Sequence, residues 1–97
     1  NGYNVFPREI DEVLFTLPGV LEAAAVGTPS EKTGEVIHAY VVSQEGETLD
    51  ATDIINHCEK YLTHYKVPAK VILVDTLPRT PAAKIDKNQL RQRSLSG

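Results

Sequence analysis

Proline and glycine cut this chain into short pieces and leave little room for any long regular element. Pro7, Pro18-Gly19, the polar stretch from Gly27 to Gly34, Gly46, Pro68, Pro78 and Pro81 follow one another at short intervals. Proline fixes φ and lacks an N–H, so it starts or stops an element. Between these breaks the apolar pattern changes period. Ile10, Val13, Leu14 and Leu17 recur at i, i+3, i+4 and i+7, one face of a helix that Pro7 can open and Pro18-Gly19 closes. Glu9, Asp11 and Glu12 lie near its start, where the helix dipole favours acids.

The remaining segments read in the same way. Residues 1–6 favour extended backbone. Val20 to Val26 reads as a strand, although its three alanines are weak strand formers. Gly27 to Gly34 reads as a loop, and Val36 to Val42 as a second, β-branched strand. Asp50 or Thr52 can cap a second helix whose buried stripe is Ile54, Ile55, Cys58 and Leu62. Tyr65-Lys66-Val67-Pro68 breaks it, and Lys70 to Val74 forms a third strand. Asp86 can cap a last helix from Lys87 to about Arg93, followed by a loose tail. The expected fold is α+β, a small three-stranded sheet flanked by about three helices. A length of 97 residues suits one domain with one modest core.

Charge is unevenly distributed. Residues 1–58 hold ten acids against Arg8 and Lys32, and residues 59–97 hold eight bases against Glu59, Asp75 and Asp86, so the two parts carry −8 and +5. The basic part is open to two readings: an anionic partner such as a phosphate-bearing ligand or an acidic surface, or ordinary solvated charge. Nucleic acid is a poor fit, because the bases are not interleaved with aromatics and the net charge is −3. No apolar run reaches the length of a transmembrane segment. The single cysteine, Cys58, excludes an internal disulfide framework and suits a reducing compartment. Its place in a helical apolar stripe makes it core filler.

Most self-contained active sites are missing. His38, His57 and His64 have no metal-ligand spacing with Cys58, so no metal site is expected. His57 and Cys58 are adjacent on a helix and point about 100° apart, which is no thiolate–imidazole dyad. There is no phosphate-loop or dinucleotide fingerprint and no nucleophile elbow. What stands out is Lys84. It lies in Leu77-Pro78-Arg79-Thr80-Pro81-Ala82-Ala83-Lys84-Ile85, after the last strand and before the last helix. Prolines and small residues hold it on a tight loop, from which it is either a solvated charge or a cation delivered into a site outside its own domain.

The chain resembles a known family along most of its length. Gly2-Tyr3-Asn4-Val5-Phe6-Pro7-Arg8-Glu9-Ile10 resembles the start of the C-terminal domain of adenylate-forming enzymes: acyl-CoA synthetases, luciferases and peptide-synthetase adenylation domains. The likeness continues through Pro18-Gly19-Val20, Ala24-Ala25-Val26-Gly27-Thr28-Pro29, Gly34-Glu35, Tyr65-Lys66-Val67-Pro68, Leu77-Pro78-Arg79-Thr80, Lys84-Ile85 and Leu90-Arg91. Asn4-Val5, Cys58 and Thr63 through Pro68 look most like medium- to long-chain fatty acyl-CoA ligases.

The resemblance implies an ATP-dependent acyl-CoA synthetase that first makes an acyl-adenylate and then a CoA thioester, with ATP, Mg2+ and CoA as cofactors of the intact enzyme. It implies that residues 1–97 are a mobile C-terminal lid whose partner is its own large N-terminal domain, which holds the ATP and acyl sites and lies outside this sequence. The isolated domain is then expected to be inactive and to bind no cofactor. Lys84 matches the catalytic lysine of adenylation. Gly2 and Tyr3 match the loop lining the CoA tunnel. Thr33 falls where related ligases often carry a basic residue near the nucleotide end of CoA, and Lys60 and Lys66 could meet CoA phosphates, Lys66 equally an ion pair at a domain interface and Lys60 a plain surface charge. The expected location is cytoplasmic, with peripheral contact at the inner membrane face as a variant. Two rivals stay open: a non-catalytic binding module of the same fold, and an adenylation domain that loads a carrier-protein thiol.

One departure from the family bears on Lys84. The family usually has Gly immediately before this lysine, and this chain has Ala83. If that position needs φ > 0, alanine costs about 1–2 kcal/mol; if not, the exchange is harmless. No arginine follows closely either, since Ile85 leads into Asp86-Lys87.

Overall fold

The structure, a computed structural model, describes residues 7–30 and 34–96. Helix α1 spans Pro7–Phe15, strand β1 Val20–Ser30, strand β2 Gly34–Ser43, helix α2 Ala51–Tyr61, strand β3 Lys70–Leu73 and helix α3 Lys87–Ser96, with a 3-10 turn at His64–Lys66 before β3. The expected three-helix, three-strand composition and order are present. The sheet order is β1-β2-β3, with β1 and β2 antiparallel and β2 and β3 parallel. The parallel step follows from α2, which carries the chain back across one face of the sheet.

Helices cover both faces. On one side Ile10 and Leu14 of α1 and Ile54 and Cys58 of α2 pack on Ala23, Ala25, Ile37, Ala39 and Val41. On the other, Leu90 of α3 and Leu77 pack on Ala24, Val26, Tyr40 and Val42. Successive strand residues point to opposite faces, so Ala23, Ala24 and Ala25 each meet a packed layer and are all buried. The alanines that weaken the strand signal are the residues that let elements approach the sheet closely from both sides.

Local chemistry sets most boundaries. α1 ends at a turn in which Val20 N–H donates to Leu17 O at 3.3 Å, with Pro18 and Gly19 at its centre. Gly19 has φ +95°, a value the third position of a type II turn requires. Asp50 caps α2, its carboxylate accepting from Thr52 N–H at 2.7 Å. Asp86 accepts from Gln89 N–H at 3.1 Å at the head of α3.

Several boundaries differ from expectation. α1 ends at Phe15, two residues before Leu17 of its expected apolar face. The hairpin is longer than its apolar core: Gly27 to Ser30, read as loop, pair with Ile37 to Gly34. Pro29 is tolerated there because β1 is an edge strand and one of its sides needs no ladder donor. β3 stops at Leu73, one residue early. α3 runs to Ser96 rather than about Arg93.

Candidate functional site: the Lys84 hairpin

Lys84 sits on a hairpin built by its own backbone. Thr80 N–H donates to Lys84 O at 2.7 Å, and Ala83 N–H donates to Thr80 O at 2.8 Å. Arg79 and Ile85 form a bridge below, and Asp86 N–H donates to Pro78 O at 2.8 Å. The Thr80 hydroxyl accepts from Ala82 N–H at 3.2 Å and Lys84 N–H at 3.3 Å. Proline is at home in this turn, because its fixed φ suits the position after Thr80.

Ala83 has φ +67°, and it is the one described non-glycine residue with positive φ. The left-handed residue allows the chain to turn back after Pro81-Ala82 and bring Lys84 opposite Thr80, the hydrogen-bond pattern of a three-residue hairpin loop closed by a bulge. The expectation conditional on φ is therefore resolved: this position does need left-handed backbone, and alanine carries the cost there.

The hairpin is fixed from below. Leu77 and Leu90 are buried in the α3-side core, and Ile85 packs against it. Arg79 pairs with Glu22 of β1. Lys87, at the start of α3, pairs with Asp11 of α1 at 2.6 Å. Lys84 itself is exposed. Among the described residues its ammonium has neither an ion pair nor a hydrogen bond. An exposed, unpaired cation on an internally hydrogen-bonded hairpin is open to an anion from solvent or from another domain.

The other candidate residues are not gathered around Lys84. Lys66 donates to Glu9 at 2.8 Å. The Glu9 hydrogen bond is the main cause holding its ammonium above the ordinary lysine range, against partial desolvation. Lys60 is exposed in the last turn of α2, beside Asp53, Asn56 and Glu59. Both belong to the α1–α2 side of the sheet, whereas the Lys84 hairpin is rooted in the α3-side core. Gly2, Tyr3 and Thr33 lie outside the described residues.

Part of the charge split is matched within the fold. Each of the three ion pairs among the described residues joins an acid of residues 1–58 to a base of residues 59–97: Glu9–Lys66, Glu22–Arg79 and Asp11–Lys87. Three of the eight bases of residues 59–97 thus pair with acids of residues 1–58. In the sequence Asp11 reads as no more than a helix-start acid, and the charge asymmetry between the two parts of the chain is the signal consistent with its pairing.

The remaining polar groups behave as structure. Cys58 is fully buried, and burial pushes its thiol up to about 11. His57 Nε2 meets Thr16 Oγ1 at 2.8 Å and Val13 O at 3.2 Å, tying α2 to α1. Among the described residues no cluster of three or more His, Cys, Asp or Glu side chains could hold a metal ion. No helix among them is long and apolar enough to cross a membrane.

Residues 9–84 match the AMP-binding enzyme C-terminal domain, and the chain belongs to that family. It is 46% identical over 91 residues to a 3-[(3aS,4S,7aS)-7a-methyl-1,5-dioxo-octahydro-1H-inden-4-yl]propanoyl:CoA ligase of Rhodococcus jostii (strain RHA1), covering 94% of this chain and 18% of that protein. It is 41% identical over 92 residues to the fatty acid–[acyl-carrier-protein] ligase ScoC of Streptomyces coeruleorubidus, covering 95% of this chain and 18% of the relative. Among solved structures, apo MatB from Rhodopseudomonas palustris superposes with a TM-score of 0.92 at 39% identity, over 98% of this chain and 19% of that one. The chain therefore spans about a fifth of the length of the proteins it matches.

Proposed function

We propose that residues 1–97 are the mobile C-terminal lid of an ATP-dependent acid–thiol ligase, and that Lys84 is its catalytic residue for adenylate formation. The observation that carries this reading is the unpartnered ammonium of Lys84 on an internally hydrogen-bonded hairpin, in a chain that belongs to the AMP-binding enzyme C-terminal domain family.

The chemistry calls for such a cation. The attacking carboxylate and the α-phosphate of ATP are both negative, and they must approach in line. A lysine ammonium between them offsets the repulsion, orients the carboxylate and stabilises charge on the transferring phosphorus. Because the hairpin is preorganised, little ordering cost falls on the reaction step. Magnesium, when bound with ATP, neutralises phosphate charge; the large N-terminal domain and the nucleotide would hold it. After adenylation the lid rotates, withdraws Lys84 and presents its other side, on which Lys60 is one of the exposed cations available to an anionic acceptor such as CoA, Arg8 of α1 being another. Lys66 is committed to Glu9 and serves the fold first.

We assign CoA as the acceptor thiol and a fatty or related apolar acid as substrate, in a cytoplasmic enzyme. A carrier-protein thiol is the second reading, favoured by the 41% identity to a carrier-protein ligase. Pyrophosphate exchange into ATP by the full-length enzyme tests the assignment of Lys84: Lys84→Ala should lower it about 10²–10³-fold. Exchange at the wild-type rate would remove Lys84 from the reaction.

A further inference from the structure

We propose that Asp11 and Lys87 are positioning residues for Lys84, forming a clamp that seats its hairpin against the open edge of β1; this rests on the adenylation role given to Lys84 above.

Asp11 joins three elements with one carboxylate. Its Oδ1 accepts from Ala25 N–H of β1 at 2.7 Å, and its Oδ2 meets Lys87 Nζ of α3 at 2.6 Å, while its own backbone belongs to α1. β1 lies at the edge of the sheet, and the Ala25 N–H points away from β2. Asp11 therefore reaches round that edge from the α1 side and takes hold of the first residue of α3 on the other side. An acid needed only for the helix dipole would not have both oxygens engaged.

The hairpin is tied at both ends to the same strand. Arg79 enters it and pairs with Glu22 of β1. Lys87 leaves it, three positions after Lys84, and reaches β1 through Asp11. Arg91, one turn further along α3, donates from Nε to Gly27 O of β1 at 3.2 Å. Between the two ties the backbone bonds of Pro78, Thr80, Ala83, Lys84 and Asp86 leave the loop little internal freedom. A stiff loop passes any displacement of its ends to its tip. Among the described side chains of α3 only Leu90 is fully buried, and polar contacts help to seat the helix, so removing one of them shifts the helix head rather than merely loosening a side chain.

Partly exposed ion pairs contribute little to global stability. The effect of this clamp therefore lies in placement, to which adenylation is steeply sensitive: a misplacement of about 1 Å can cost about 10²-fold in rate.

The test uses the full-length enzyme, with Lys87→Met, Lys87→Arg, Asp11→Asn and Lys84→Ala. Lys87→Met and Asp11→Asn should each lower the rate of adenylate formation about tenfold. They should leave KM for ATP within about twofold and leave thioester formation from preformed acyl-adenylate unchanged, because that step does not use Lys84. Lys87→Arg keeps the pair and should restore the rate. In the Lys84→Ala background neither change should have a further effect, since there is then no ammonium to place. Asp11 also holds a backbone amide, so Lys87→Met at the half-exposed helix start carries the test if Asp11→Asn folds poorly. Equal losses in both half-reactions would make the clamp purely structural and overturn the proposal. So would wild-type adenylation by Lys87→Met beside an impaired Lys84→Ala enzyme. Wild-type adenylation by Lys84→Ala would instead refute the role of Lys84, and the clamp with it.

Discussion

Replacing Ala83 by glycine should stabilise this domain, the opposite of what a glycine substitution usually does. Ala83 has φ +67°. A left-handed conformation costs an L-residue about 1–2 kcal/mol, and glycine is spared that cost. Glycine in turn adds about 0.4–1 kcal/mol of unfolded-state entropy that folding must overcome. Ala83 is exposed, so its methyl gives up no core packing, and its N–H bond to Thr80 O survives the change. The balance favours Ala83→Gly by about 0.5–1 kcal/mol, or about 2–8 °C in Tm for a domain of this size. Ala82→Gly is the control. Ala82 lacks positive φ, so only the entropy term applies and the variant should lose about 0.4–1 kcal/mol. Urea melts of the 97-residue chain, with m unchanged among variants, read both effects. If both variants are destabilised alike, the left-handed backbone at residue 83 is wrong, and with it the geometry that presents Lys84.

Three further outcomes follow from the core and its polar contacts. Cys58, buried and pushed up to about 11, has a thiolate fraction of roughly 10⁻⁴ at pH 7; native protein should resist iodoacetamide and react only on unfolding, and fast native labelling would contradict its burial. His38 is held below 6.5 by partial burial and then by Lys70, so the unfolded chain binds its proton more readily. Stability should therefore fall as pH drops below 6.5 and level off once the folded state also protonates, and His38→Gln should remove that component of the pH profile. Tyr40→Phe deletes a hydroxyl bonded to Ser94 Oγ at 2.6 Å and should cost about 0.5–1.5 kcal/mol in urea melts; an unchanged midpoint would mean that α3 is not seated by that contact.

The parts of this fold that periodicity reveals were legible in advance. α1 carries Ile10, Val13 and Leu14 of the i, i+3, i+4, i+7 stripe, with Leu17 just past its end, and Ile10 and Leu14 are completely buried. Asp50 and Asp86 cap as their residue types and places suggest. Periodicity is silent where polar contacts replace it. α3 buries Leu90 and is otherwise held by the Tyr40–Ser94, Arg91–Gly27 and Lys87–Asp11 contacts, so no apolar repeat marks its end. The extension of β1 through Gly27, Thr28 and Pro29 was hidden because an edge strand tolerates residues that an inner strand rejects.

The site divides in the same way. Lys84 could be singled out because prolines and small residues fix a loop locally, and the resemblance supplied a role for it. The positive φ at Ala83 could only be posed as a condition, because alanine does not announce it. The pairing of Lys66 with Glu9, and the reach of Asp11 to both Ala25 and Lys87, join residues 14 to 76 positions apart. Local sequence carries no trace of such contacts beyond the complementary charges of the two halves.

The central claim is that Lys84 serves one half-reaction and not the other. Single-turnover rates for both steps, measured on the full-length enzyme with and without Lys84→Ala, test it directly. Acyl-adenylate formation from ATP and acid should fall about 10²–10³-fold, while thioester formation from preformed acyl-adenylate keeps its wild-type rate. Loss of both steps to the same extent, or of neither, would contradict the account.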